Sequence, residues 1–94
     1  MYAMVISDER LSNFGEIYIS SSSNLLAGIS KKLLNPSNTA FIFDARTGIV
    51  YRKIIRIEKE YLDVYNMKNV NLFMPLSVIR KAQKVCMERV SNFL

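Results

Sequence analysis

Thirteen Lys and Arg, eight Asp and Glu, no His and a single Cys set the chemistry open to this chain of 94 residues. A Ser-His or Cys-His nucleophilic arrangement needs an imidazole to carry the proton, and the usual zinc site needs several Cys or His ligands. Neither can be built within one chain of this composition. Cys86 falls in an apolar helical stripe and reads as a small buried hydrophobe, because a reactive thiol requires a neighbouring base to lower its pKa. Carboxylate pairs are the remaining route to acid-base work. Asp8, Glu9, Glu16, Asp44, Glu58, Glu60, Asp63 and Glu88 are scattered instead, mostly beside cations, as solvated surface charges are. The composition therefore argues for a non-enzymatic protein, with no cofactor and no metal expected.

The cations show a clearer grouping. Arg46, Arg52, Lys53, Arg56 and Lys59 crowd the stretch from Thr39 to Glu60, and Arg80, Lys81 and Lys84 share one side of a C-terminal helical pattern. A net charge of +5 favours polyanions such as nucleic acid or an acidic protein face. On a regular strand Arg52 and Arg56 share one face, roughly 13 to 14 Å apart with Ile54 between them. That spacing suits two phosphates or two carboxylates, and it suits cross-strand Asp or Glu partners equally. These eight residues make up the nucleic-acid reading. The run Ser20 to Ser23 offers a second phosphate-like site at a helix start, but without a Gly-rich loop it reads better as helix capping.

The elements that would position these groups follow from periodicity and turn chemistry. The central feature is a hairpin: Phe41-Ile42-Phe43, the turn Asp44-Ala45-Arg46-Thr47-Gly48, and a second strand from Ile49 to Ile57. Asp at the first turn position accepts from the loop amides, and Gly at the last takes positive φ. Alternation along the second strand assigns Ile49, Tyr51, Lys53, Ile55 and Ile57 to the core face, leaving Arg52 and Arg56 outward. Tyr51, the one candidate for stacking on a base, lies on that core face. Tyr2 to Ile6 reads as an interior strand and Glu16 to Ser20 as its hairpin partner. Leu25, Ile29 and Leu33, with Leu26 beside them, form the apolar stripe of a helix ended by Asn35-Pro36. Glu58 to Lys68 favours strand over helix, and Val70 to Met74 alternates as a further strand. Pro75-Leu76-Ser77 opens the longest helix, with Ser77 as N-cap. Its apolar arc of about 140° comprises Val78, Ile79, Ala82, Val85, Cys86, Val90 and Phe93.

The expected fold is one small α+β domain over residues 1–94. An antiparallel sheet of five to six strands in the order β-β-α-β-β-β-β-α carries a C-terminal amphipathic helix, with a single layer of helices. In outline this order is similar to the small profilin-like, longin and roadblock scaffolds, which act mainly as protein-binding platforms; the likeness transfers no residues. No run approaches the roughly 18 apolar residues of a membrane span, and the start of the chain lacks a basic leader, so a cytoplasmic protein without membrane contact is expected. Half of the chain is hydrophobic. That fraction in so short a domain leaves apolar surface over; Met87 with Leu94 widens the apolar flank of the last helix, Arg89 falls within its apolar arc, and Met87, Arg89, Phe93 and Leu94 together make the expected protein interface. The leading expectation is a small basic interaction module, a homodimer or the partner of another protein, with nucleic-acid binding as the alternative.

Overall fold

The computed structural model describes residues 1–8 and 10–93, with side chains described as far as residue 88. Its elements are β1 (Tyr2–Ser7), β2 (Phe14–Ser20), α1 (Ser23–Leu33), β3 (Thr39–Asp44), β4 (Val50–Glu58), β5 (Tyr61–Asn66) and α2 (Leu76–Phe93). The strands form one antiparallel sheet in the order β2-β1-β3-β4-β5. The α+β class holds, β1 is interior as expected, and residues 61–66 are strand. No helix among the described residues is long and apolar enough to cross a membrane.

β1 and β3 are apolar at consecutive positions because both of their faces are covered. Ala3, Val5, Phe41 and Phe43 point one way and join Ile19, Val50, Met74, Val78 and Ala82 of the α2 side. Met4, Ala40 and Ile42 point the other way and join Leu26, Leu34 and Ile54 of the α1 side. The two helices therefore lie on opposite faces, and the expected single helix layer is replaced by helix, sheet, helix. The strand order requires the connection from β2 to β3 to cross β1 on one face, and α1 is that crossing.

Within α1 the buried residues are Leu26 and Ser30, whereas Leu25 and Leu33 of the expected stripe are exposed. The sheet takes the four-residue ladder one position later, since Ser30 is small enough for close approach and its hydroxyl donates to the Ala27 carbonyl (2.6 Å). The serine run does cap the helix: Ser22 Oγ accepts from the Leu25 amide (3.2 Å). At the other helix, Ser77 is not the cap. α2 begins one residue earlier, and the Pro75 carbonyl accepts from the amides of Val78 and Ile79.

The β3–β4 turn follows its chemistry closely. Asp44 Oδ1 accepts from the amides of Arg46 (2.8 Å) and Thr47 (3.3 Å), and Gly48 sits at φ +80°. Beyond it the face assignment of β4 changes, because Phe43 pairs with Val50 but Ile42 pairs with Arg52. One residue, Tyr51, is extra, a β-bulge that puts Val50 on the α2 face and Ile54 on the α1 face. Both are buried, while Ile49 and Ile57 of the expected core face are exposed.

Val70 to Met74 is not a sixth strand. Asn71 at φ 52° breaks the extended path, and the segment makes only the isolated bridge Ile49 to Phe73. Its alternation holds only from Leu72 to Met74, where Leu72 and Met74 pack on the α2 core and Phe73 is exposed; Val70, of the same parity as Leu72, is exposed too. Backbone bonds from Val50 to the Leu72 carbonyl and from Met74 to the Gly48 carbonyl tie it to the start of β4.

A Cβ at Gly48 would meet positive-φ strain and collide with the Ile79 side chain. Gly48→Ala is expected to destabilise the fold by roughly 1–3 kcal/mol, measured as a lower urea midpoint at unchanged slope.

Candidate interaction surface

The two arginines whose spacing suggested a polyanion site are turned towards helix α1. Arg56 donates from Nε to the Leu34 carbonyl (2.7 Å), from one terminal nitrogen to the Lys59 carbonyl (2.6 Å) and from the other to the Lys31 carbonyl. Its guanidinium thus serves carbonyls left free at the C-terminal end of α1, where a positive charge also complements the helix dipole. Arg52 reaches the opposite end, donating to Asn24 Oδ1 (3.0 Å) and lying 5.3 Å over the Tyr51 ring. Tyr51 in turn rests against Tyr2, with ring centroids 5.5 Å apart. The length of α1 and the Arg52–Arg56 spacing therefore match each other.

The remaining cations are distributed over several elements. Lys53 is half-buried on β4, Lys59 is exposed in the β4–β5 turn, and Arg46 is exposed in the β3–β4 turn, where its carbonyl accepts from Gln83 Nε2 (3.3 Å). Arg80, Lys81 and Lys84 are exposed on α2. Of the expected interface flank, Met87 is 72% exposed beside a shallow hollow formed with Met1, Arg46 and Cys86. The side chains of Arg89 and Phe93, and Leu94 altogether, lie outside the described residues.

A different surface is larger. α2 has its main contacts along β2, and α1 along β1, β2 and β3; on β4 the two cores take Val50 and Ile54, and the far end of β4 together with β5 forms an arm that extends past both helices. Four of its apolar side chains are left open, on both faces: Ile57, Tyr61, Val64 and Tyr65 are exposed, while Leu62 is half-buried against the α1 core. A two-stranded arm with so little cover is unusual for a small domain, where apolar side chains are normally buried against a second layer. Between α1 and the arm runs an open groove of about 640 Å³, floored by Ile54, Leu62 and Val64 and rimmed by Lys31, Lys59 and Glu60.

Set against known protein families, curated proteins and solved structures, the chain matches none of them. Its surface has to be read from its own chemistry.

β5 is a sheet edge with free backbone groups, and their direction follows from the ladder. The Met67 amide donates to the Tyr51 carbonyl across the same register that pairs Lys53 with Tyr65 and Ile55 with Asp63. Backbone groups alternate in direction along a strand, so the odd residues of β5 face β4 while Leu62, Val64 and Asn66 turn theirs to solvent. On the side chains, the Tyr65 hydroxyl donates to Asp63 Oδ2 (3.1 Å). That hydrogen bond, and then the charge of the carboxylate, hold the Tyr65 phenol above the ordinary tyrosine range. In the sequence this stretch reads as a strand, with no motif that marks it as an interface. The available signal was Tyr61, Leu62, Val64 and Tyr65 on one short strand with a single charge and neither Pro nor Lys, the residues that normally guard an edge.

Two outcomes test this geometry. Arg56→Ala is expected to cost about 2 kcal/mol in urea unfolding, since two charge-assisted bonds to the end of α1 and one to the Lys59 carbonyl are lost together, and Arg56→Lys is expected to recover only a fraction because an ammonium cannot reproduce the planar fork. Asp63→Asn is expected to bring the Tyr65 titration down towards the ordinary value, read by ultraviolet difference spectroscopy; an unmoved titration would show that Asp63 is not its cause.

Proposed function

We propose that this protein is a small basic non-enzymatic interaction module that acts through protein-protein contacts and self-associates. The observation that carries the reading is the β4–β5 arm, which leaves Ile57, Tyr61, Val64 and Tyr65 uncovered by either helix. Exposed apolar side chains grouped on one element are costly in water and are maintained where a partner covers them. An exposed strand edge beside them adds directional backbone bonds, the mode in which one sheet recruits a strand from another protein. The Met87 flank of α2 is a second, smaller apolar surface.

The alternative reading is contact with nucleic-acid phosphates. It keeps Arg46, Lys53, Lys59, Arg80, Lys81 and Lys84 as its contacts. It loses the two-arginine spacing that first motivated it, because Arg52 and Arg56 are engaged with α1.

Light scattering coupled to gel filtration, run from micromolar to near-millimolar chain, is expected to give a mass that rises above that of one chain. A monomeric mass throughout would overturn self-association.

A further inference from the structure

We propose that the partner of the β5 edge is the β5 edge of a second copy, paired antiparallel about a two-fold axis at Val64. The inference rests on the self-association reading above and specifies its contact.

The register follows from three constraints. First, only Leu62, Val64 and Asn66 present outward backbone groups, so hydrogen-bonded pairs across the interface must be drawn from these residues. Placing Val64 opposite Val64 pairs Leu62 with Asn66 at both ends and uses every outward amide and carbonyl of the strand. Second, the neighbouring registers are poorer. A shift in one direction sets Asp63 against Asp63, two carboxylates at the closest cross-strand approach. A shift in the other leaves Leu62 without a partner from the strand. Third, in the Val64-centred register Asp63 of each copy lies across from Tyr65 of the other, which already donates to a carboxylate of this kind within its own chain. Beyond the strand ends the turn that carries Glu60 in one copy comes near the turn that carries Lys68 in the other, and the two-fold repeats this approach of opposite charges. A surface complementary to itself in hydrogen bonds and in charge is what an isologous interface requires.

The two edges of the sheet also differ in the way this pairing predicts. β2, the other edge, shifts register between its pairings with Val5 and Ser7 and carries Glu16, both devices that discourage strand addition. β5 also carries one charge, Asp63, but the register shift at its Tyr61 end has its extra residue on β4, so β5 itself is regular from Leu62 to Asn66. Joining two copies at β5 gives a continuous sheet with both α1 helices on the same face, and it brings the two Val64 side chains together in a groove that neither copy covers alone.

Cysteine trapping tests the register. The full chain is prepared with Cys86→Ala, which removes its only thiol, and with V64C, N66C or M87C added, all at exposed positions. Across a hydrogen-bonded antiparallel pair two residues at 64 have Cα atoms about 5.5 Å apart, inside the disulfide range, whereas two at 66 are offset by about 13 Å along the strands. Under mild oxidation V64C is expected to form covalent dimer on the order of tenfold faster than N66C or M87C, the difference between a held and a collisional thiol. V64K, which sets two ammonium groups side by side on the axis, is expected to shift the light-scattering mass to one chain while circular dichroism keeps the native spectrum. Linking at residue 66 or 87 as fast as at 64, or a V64K chain that stays dimeric, would overturn this contact and leave self-association standing. A wild-type chain that is monomeric throughout would overturn both.

Discussion

β1 and β3 are covered on both faces at once, and most of the molecule follows from that. A strand such as Thr39-Ala40-Phe41-Ile42-Phe43, buried at all five positions, needs an apolar layer above it and another below. With only two helices available, each face receives one, and the crossing from β2 to β3 supplies the first while the C-terminal helix supplies the second. Two helices cannot also roof the whole width of a five-stranded sheet. The strands at the centre and on the β2 side are covered, β4 is covered as far as Val50 and Ile54, and the far end of β4 with β5 is left over. The exposed arm is thus a by-product of how the core is divided, before any role is assigned to it.

Arg52 and Arg56 show how a surface charge pattern can be consumed by the fold. Each lies on the α1 face of β4, on either side of buried Ile54, and each reaches one end of the helix. The cost of ordering two long side chains is offset, for Arg56, by bonds to carbonyls that the helix end leaves free and by its position at the negative end of the dipole, and for Arg52 by its bond to the Asn24 side chain. The same two side chains hold α1 against a sheet whose contact with it is otherwise limited to a few residues. Local positive charge on this strand therefore contributes to architecture first.

Much of the fold was legible in the sequence where the signal is local. Asp44 and Gly48 mark the turn by their own chemistry, the serine run marks a helix start, a continuous apolar run marks β1, alternation marks β2, and the turn residues Asn66 to Asn69 favour strand for β5. What was hidden depends on partners distant in the chain. Nothing in Tyr51 announces a bulge, and without it strict alternation assigns Ile49 and Ile57 to a core that holds Val50 and Ile54. The placement of the helices on opposite faces is fixed by strand order, which periodicity does not report. Leu72 to Met74 alternates because Leu72 and Met74 are inward, yet the segment makes a single bridge to Ile49 and no ladder. The arm was missed for a related reason: exposure of Tyr61 and Val64 is a statement about where two helices end, and no residue in the arm itself carries that information.

The guarded edge at β2 bears on how large an assembly of this chain can become. A sheet that gains strands at one edge and offers an equally receptive edge at the other is a growing polymer, the route by which edge pairing leads to fibres. Here the irregular register opposite Val5 and Ser7, together with Glu16, makes the far edge a poor template. A sheet extended at β5 would present β2 at each of its two ends. Growth would terminate after a single step, and the element that sets the stoichiometry would be the strand that takes no part in the contact.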